Sequence, residues 1–170
     1  MKVIDNFLPE EEFEWIVSHF LPTEECNTAK LPWFYNEAIV STSKIRIPQF
    51  THTFVDMGKK LSPDIKLIDS SLSFLGIKNP TDLIRVKANL TVRTTFHRNT
   101  GYHQDFKNAD LTTAILYLNT NNGWTQLKSG EKVKSIANRM VIFPTKTLHA
   151  GVTCTDERKR VVINFNYHDR

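Results

Sequence analysis

Residues 84–93, IRVKANLTVR, alternate strictly between apolar and polar side chains. The even positions are apolar, and the odd positions carry Arg85, Lys87, Asn89, Thr91 and Arg93. Because successive side chains of a β-strand point to opposite sides of its sheet, this alternation predicts a strand with one apolar and one polar face. The sequence leaves open whether the polar face lines a groove or meets solvent.

The chain downstream of this strand continues in short strand-like segments separated by turn residues. Strands are predicted near 100–106, 112–119, 124–128, 131–136, 139–144, 147–153 and 159–168, with turns at Asn-Asn-Gly (121–123) and Lys-Ser-Gly (128–130). This series predicts a mainly β (α+β) fold of sandwich, barrel or jelly-roll type, with helices packed outside the strands.

The first 80 residues contain most of the predicted helix. Apolar spacing at Phe13, Ile16, Val17 and Phe20 predicts a helix that Pro22 ends. Residues 31–50 are rich in β-branched and aromatic side chains and predict one or two strands at the rim of a sheet. Residues 53–75 show helical spacing and predict one or two helices, interrupted near Pro63 and capped by Gly76.

Length and composition exclude several classes of protein. A chain of 170 residues with 40% hydrophobic and 24% charged residues is neither disordered nor of low complexity. It has no apolar run of the roughly 20 residues that a membrane-spanning helix needs. The acidic N-terminal stretch does not resemble a secretory signal. We therefore expect a soluble, cytoplasmic protein without a membrane partner, in which Cys26 and Cys154 are two buried thiols.

Three residues have the spacing and chemistry of a metal site. In GYHQDF (101–106), His103 and Asp105 are two positions apart, so both side chains leave the same face of an extended segment. His149 could add a third ligand from a later strand. Two imidazoles and one carboxylate form the facial triad of non-haem Fe(II), which leaves coordination positions open. His-x-Asp also arises by chance, and strand histidines are commonly only hydrogen-bonded residues.

The last predicted strand carries an arginine on its polar face. In RVVINFNY (160–167), Arg160, Asn164 and Asn166 share one face, and the opposite face is apolar. A strand this apolar is expected at the centre of the sheet, so the guanidinium of Arg160 is expected in the interior. A buried guanidinium needs an anion, which an anionic co-substrate would supply. Arg158 and Lys159 are neighbouring alternatives, although Arg158 lies in the preceding turn.

Taken in order, these motifs resemble the 2-oxoglutarate and Fe(II)-dependent oxygenases, and in particular the prolyl-4-hydroxylase-like branch with its short bacteriophage members. The segments that carry the resemblance are GYHQD, TTAILYLNTNNGWT, NRMVIFPTKTLHAG, an arginine eleven positions after His149, and VVINFNY. The resemblance implies a double-stranded β-helix, a cupin-like jelly roll. Residues 1–170 would form one domain, with helical support and edge strands in 1–80 and the jelly-roll catalytic core in 81–170.

The resemblance also implies roles for individual residues. His103, Asp105 and His149 would bind Fe(II). Arg160 would pair with the distal carboxylate of 2-oxoglutarate, helped by a hydrogen bond from Tyr117 and by Asn164. Asn166 stands where related hydroxylases often carry tryptophan, which changes the pocket wall. The presence of Asp105 disfavours halogenation, because halogenating members leave that position free for halide.

The activity implied is hydroxylation of a C–H bond with release of succinate and CO2. It would use Fe(II), 2-oxoglutarate and O2, and ascorbate stays open as a further cofactor. A peptidyl side chain, proline first, is the expected substrate. The alternatives are oxidation of a nucleic-acid base, for which no recognition motif is visible, and a non-catalytic cupin-like binding module. The sequence does not give the oligomeric state.

The net charge of +4 is unevenly distributed. Residues 1–80 hold 8 Lys and Arg against 11 Asp and Glu, whereas residues 81–170 hold 14 against 7. Lys107, Arg139 and Lys146 flank the proposed metal-binding segments. Positive potential there would attract a dianionic co-substrate and would favour an acidic target. His97 and Arg98 lie either at the pocket entrance or in solvent.

Overall fold

Eight strands form the main antiparallel sheet in the computed structural model, which describes residues 1–22, 28–38, 46–107 and 110–169. These strands are β1 (Lys2–Ile4), β2 (Phe34–Asn36), β3 (Gln49–Asp56), β4 (Lys59–Lys60), β5 (Leu83–Val92), β6 (Thr112–Tyr117), β9 (Arg139–Pro144) and β11 (Lys159–Tyr167). Their order across the sheet is β1-β9-β6-β11-β5-β3-β2, with β4 paired to β3.

A second, three-stranded sheet consists of β7 (Trp124–Leu127), β8 (Lys132–Lys134) and β10 (His149–Val152), in the order β10-β7-β8, within the described residues. The helices are α1 (Glu10–Phe20) and α2 (Asp69–Phe74), with 3-10 turns at Ile65–Ile68 and Pro80–Asp82. In the described part of the chain, no helix is both long and apolar enough to cross a membrane. The predicted mainly β, jelly-roll fold is confirmed.

Strand β11 lies between β5 and β6, as its apolar sequence predicts. Its two faces have different partners. Val161, Ile163 and Phe165 are buried in the larger core, which also contains Ile16 and Phe20 of α1. Val162 belongs to a smaller cluster that joins the two sheets through Tyr117, Val133 and Phe143. The same alternation directs Arg160 and Asn164 to the space between the sheets.

The predicted helix from residue 53 is wrong in its first half. Residues 49–56 form β3, which pairs with β5 along most of its length, and residues 57–58 make a tight turn into β4. Met57 and Gly58 both have positive φ values, 48° and 73°, as a type I′ hairpin turn requires. Pairing with β5 outweighs the helical spacing. Helix forms only from Ile65 onward, and Gly76 ends it with φ of 76°.

The predicted strand at 100–106 is also wrong. The segment makes one isolated bridge, at His103 and His149, and is otherwise irregular. Cys154 is buried and free, as predicted, and Cys26 lies outside the described residues.

Candidate metal centre

His103, Asp105 and His149 converge on one point between the two sheets. One ligand atom from each lies within 4.8 Å of the others. The isolated bridge sets this geometry: the backbone N–H of His103 donates to the carbonyl of His149 at 2.9 Å, and the reverse bond measures 3.0 Å. The two ligand-bearing segments are therefore fixed directly opposite each other, although the first is not part of a longer strand.

Backbone carbonyls orient both imidazole rings. Nδ1 of His103 lies 3.2 Å from the Gly101 carbonyl, and Nδ1 of His149 lies 3.0 Å from the Thr147 carbonyl. Because a carbonyl only accepts, each Nδ1 carries the proton and each Nε2 keeps a free lone pair. Burial lowers the pKa of His149 and so favours the neutral form that binds metal.

Two side chains from neighbouring strands hold the carboxylate of Asp105. Arg85 of β5 lies 2.8 Å from Oδ1, and the Asn166 amide of β11 donates to Oδ2 at 3.0 Å. Nε of Arg85 also donates to Oδ1 of Asn166 at 3.0 Å. Burial by itself would raise the pKa of Asp105, but Arg85 and His149 keep that pKa below its ordinary value. Asp105 is thus presented as an oriented anion.

Arg160 lies in the same pocket and is only 6% exposed. Its Nε donates to the Ser135 hydroxyl at 2.8 Å, and Nη2 donates to the Thr125 hydroxyl at 3.1 Å. Within the described residues, no carboxylate lies within 4.0 Å of this guanidinium. Burial lowers the pKa of Arg160, as expected for a cation without a compensating anion.

Tyr117 and Asn164 flank Arg160 in different ways. The Tyr117 ring lies 5.5 Å from the guanidinium carbon, and its hydroxyl donates to Thr125 at 2.7 Å. Burial raises the pKa of this phenol, so the hydroxyl stays protonated. Asn164 lines the pocket, and its Oδ1 is buried without a hydrogen-bond partner among the described residues.

The polar face of β5 lines the pocket, which answers the question that its alternating sequence left open. Arg85, Lys87, Asn89 and Thr91 all face this space, together with Gln49 of β3. Arg158 is exposed, which leaves Arg160 as the buried guanidinium of this strand.

The flanking charges that the sequence suggested do not reach the pocket. Arg139 pairs with Asp5 at the edge of the sheet, and neither Lys107 nor Lys146 lines the pocket. His97 is exposed and packs on Trp124, with ring centres 4.8 Å apart. The lysine and arginine side chains that line the pocket come from β5 and β11.

Sequence reasoning missed the supports of the proposed ligand and arginine residues. Arg85 and Asn166 are opposite each other in the pairing of β5 with β11, and Thr125 reaches Arg160 from the other sheet. The only sequence signal for Arg85 was its place on the polar face. Its contact with Asp105 depends on strand register, which the sequence does not give.

Comparisons with known proteins address the whole arrangement. Residues 90–168 match the sequence profile of the family described as the 2OG-Fe(II) oxygenase superfamily. This segment holds the His-Asp-His cluster and Arg160. Over these residues the chain is similar to the 2OG-Fe(II) oxygenase superfamily. No curated protein sequence matches the chain.

Solved structures with the same fold include several oxygenases. An oxidoreductase of the 2OG-Fe(II) oxygenase family from Burkholderia pseudomallei has a TM-score of 0.70 at 13% identity, over 97% of this chain and 83% of that one. A prolyl-4-hydroxylase from Pseudomonas putida has a TM-score of 0.60 at 18% identity, over 99% of this chain and 92% of that one. A Trichoplax adhaerens prolyl hydroxylase, in complex with a hypoxia inducible factor peptide fragment, has a TM-score of 0.58 at 16% identity. The alignment covers 99% of this chain and 83% of that one. At these identities the likeness is one of fold.

The superfamily uses Fe(II) and 2-oxoglutarate, and the pocket of this chain fits both. Two imidazoles and a carboxylate are a donor set suited to Fe(II). A cavity suited to a carboxylate lies in front of Arg160, where an added Cβ at Gly151 would be 3.6 Å from both Nη1 of Arg160 and Oγ1 of Thr100. That threonine hydroxyl is buried without a partner in the described part of the chain. An anion there would meet two donors.

Proposed function

We propose that this protein is a 2OG-Fe(II) oxygenase that hydroxylates a C–H bond of a peptidyl side chain, with proline as the first candidate. Fe(II) would be held by His103, Asp105 and His149, and 2-oxoglutarate by Arg160. One atom of O2 enters the hydroxyl group and the other enters succinate, while CO2 leaves. The carbon substrate and 2-oxoglutarate each supply two of the four electrons that O2 requires.

One observation carries the proposal. The triad, in which His149 is buried and His103 and Asp105 are partly buried, shares one pocket with a buried arginine that has no carboxylate partner in the described residues, so a metal ion and a dicarboxylate can occupy it together. The peptide class rests on analogy with the structural neighbours that are named prolyl hydroxylases, one of them bound to a peptide fragment.

When bound, Fe(II) and 2-oxoglutarate supply the oxidising chemistry. The chain supplies position and charge. The Gly101 and Thr147 carbonyls keep the Nε2 lone pairs of both histidines directed at the metal position. Ser135 and Thr125 orient the guanidinium of Arg160 so that its remaining donors face the pocket, where the distal carboxylate would bind. The Tyr117 ring lies against this guanidinium, and its hydroxyl donates to the same Thr125 oxygen.

The test measures product and co-substrate separately. Purified protein with Fe(II), 2-oxoglutarate and O2 is incubated with a peptide pool or an oligonucleotide pool. Mass spectrometry then detects a gain of one oxygen atom, and succinate is measured in parallel. We expect oxidised peptides and succinate, both dependent on added Fe(II) and 2-oxoglutarate.

The other outcomes identify the alternatives. Oxygen gain in oligonucleotides but not in peptides would replace the proposed substrate with a nucleic-acid base. Absence of succinate with every pool, in protein that binds metal, would favour a non-catalytic binding module. The Arg160→Met variant should lose 2-oxoglutarate affinity but keep metal affinity, because Arg160 is placed to bind the co-substrate and not the metal.

A further inference from the structure

Lys87 is the pocket cation to which the proposed chemistry assigns no task. It lies on β5 opposite Asn164 of β11 and opposite Thr53 of β3, near the middle of the main sheet. Its side chain lines the pocket and is partly buried. Burial lowers the pKa of Lys87, and the neighbouring charge of Arg85 adds to that effect. The charges of Asp105 and Asp56 act in the opposite direction but do not outweigh burial.

The other pocket cations already have partners. Arg85 is held by Asp105 at 2.8 Å and by Asn166 at 3.0 Å. Arg160 is held by Ser135 and Thr125 and faces the cavity suited to a carboxylate. For Lys87, no carboxylate lies within 4.0 Å in residues 1–22, 28–38, 46–107 and 110–169. Its charge is therefore available to a ligand.

The charge balance of the loaded pocket calls for a further anion. Arg85, Lys87 and Arg160 are the lysine and arginine residues that line the pocket, and Asp105 is the carboxylate, in the described part of the chain. Fe(II) and the 2-oxoglutarate dianion cancel each other when both are bound. Three cations against one carboxylate leave a surplus of positive charge in a partly buried space, which disfavours a neutral or cationic substrate and favours an anionic one.

We propose that Lys87 binds a carboxylate of the primary substrate, so that the oxygenase selects peptides with an aspartate or glutamate close to the oxidised side chain. The inference rests on the proposed peptide hydroxylation. It adds a specificity determinant on β5, on the pocket wall that also carries the amides of Gln49 and Asn89. These amides can donate further hydrogen bonds to the same carboxylate.

Lys87 and Arg160 mark separate positions along the pocket. Arg160 and Lys87 lie on different strands, and the register places Lys87 opposite Asn164, four residues along β11 from Arg160. Four residues of strand separate two backbone positions by about 13 Å. The two cations thus mark two anion positions, one for the co-substrate and one for the substrate.

The test uses a degenerate peptide library with the Fe(II)-loaded protein, 2-oxoglutarate and O2, and mass spectrometry to sequence the peptides that gain oxygen. We expect Asp and Glu to be enriched within a few positions of the oxidised residue. Lys87→Met should remove this enrichment, and Lys87→Arg should keep it. Lys59→Met, on the exposed β3–β4 hairpin, is the matched control and should behave as wild type.

Binding is measured independently of turnover by calorimetry on protein loaded with Mn(II) and 2-oxoglutarate. A peptide that the protein oxidises is compared, in its unreacted form, with a counterpart in which Gln or Asn replaces the acidic residue. Wild type should bind the acidic peptide about tenfold or more tightly than the amide counterpart, and Lys87→Met should bind both alike. A preference that survives in Lys87→Met would overturn the proposal. So would a large loss of 2-oxoglutarate affinity in that variant, since Lys87 would then serve the co-substrate.

Failure of the two proposals can be told apart. If peptides are oxidised without acidic enrichment, the Lys87 assignment is wrong and peptide hydroxylation stands. If no peptide is oxidised although Mn(II) and 2-oxoglutarate bind, peptide hydroxylation is wrong, and the Lys87 assignment fails with it.

Discussion

The carboxylate of Asp105 is the most constrained group in the site. Arg85 and Asn166 contact different oxygens of it, and Arg85 also bonds to Asn166, so the three side chains form a closed ring of interactions. The Thr113 hydroxyl donates to Oδ2 at 3.3 Å and accepts from Asn166 at 2.9 Å. At position 166 this chain places an amide that donates to the carboxylate of Asp105. Asn166 would thereby act on a bound metal ion through Asp105.

Replacing Asn166 should therefore weaken metal binding, although Asn166 is not itself a proposed metal ligand. In Asn166→Ala, Oδ2 of Asp105 loses its amide donor and Arg85 loses an acceptor, so we expect Mn(II) affinity to fall by roughly 10- to 100-fold. Calorimetric titration of the metal-free protein measures this affinity. Asn89→Ala, which changes an amide on the same pocket wall that does not contact Asp105, should stay near wild type. Unchanged affinity in Asn166→Ala would refute the role.

Lys87 should cost stability in the metal-free protein. Because its pKa is lowered on folding, the unfolded chain binds more protons as pH approaches the ordinary lysine value near 10.4, so this residue makes stability rise with pH in that range. We expect Lys87→Met to be more stable than wild type at neutral pH, and the difference to shrink as pH rises. Urea unfolding of both proteins at several pH values measures this difference in unfolding free energy. A difference that grows with pH would contradict the assigned cause.

At the scale of elements, the small sheet helps to orient Arg160, the proposed co-substrate residue, which the large sheet carries. Arg160 belongs to β11, but its Nη2 donor reaches Thr125 on β7, and the hydroxyl of Tyr117 on β6 reaches the same oxygen. The two sheets therefore meet at one threonine hydroxyl that is 2% exposed. The orientation of Arg160 depends on how the sheets pack.

Removing that hydroxyl should affect the co-substrate selectively. Thr125→Val keeps the shape of the side chain but leaves two buried donors without an acceptor, at a cost of about 1–3 kcal/mol each. We expect 2-oxoglutarate affinity to fall by about tenfold or more, with Mn(II) affinity unchanged. Calorimetry on the Mn(II)-loaded protein gives both values. Thr155→Val, outside the pocket, is the control. An equal loss of metal affinity would indicate general unfolding instead.

At the scale of the whole molecule, the proposed metal position lies where an irregular segment of the chain meets the small sheet. His103 and Asp105 come from an irregular segment, and His149 comes from the small sheet. The segment is attached to β10 by the reciprocal bond pair at His103 and by a bond from the Thr100 N–H to the Gly151 carbonyl. A bound metal ion would add three ligand bonds to this junction and would stabilise the folded state.

Metal should accordingly raise the melting temperature. A ligand at 100 times its dissociation constant adds about 2.7 kcal/mol to the unfolding free energy, which corresponds to several degrees for a chain of this size. We expect Mn(II) to produce such a shift in wild type and none in Asp105→Ala. That variant should also melt lower without metal, because Arg85 loses its buried partner. Scanning calorimetry checks both. If Mn(II) raised the melting temperature of Asp105→Ala as much as that of wild type, the ligand assignment would be refuted.

Parts of this architecture are local and can be read from the chain. Alternation along 84–93 and 160–167 gave both strands and the faces of their side chains, and the spacing of His103 and Asp105 survives although the predicted strand around them does not form. The helix predicted from residue 53 failed because helical spacing there competes with pairing to β5, whose partner residues lie 29 or more positions away in the chain. A periodicity measures only local preference.

The sequence by itself determined the residue types, their order and their faces: the two histidines, the aspartate, the arginine of the last strand and the polar side of β5. The tertiary structure decided which of these groups meet. Strand register set Arg85 opposite Asn166 and brought both to Asp105, and sheet packing brought Thr125 to Arg160. Register and sheet packing depend on contacts between residues distant in the chain, and the energy of such contacts appears only when the whole fold forms.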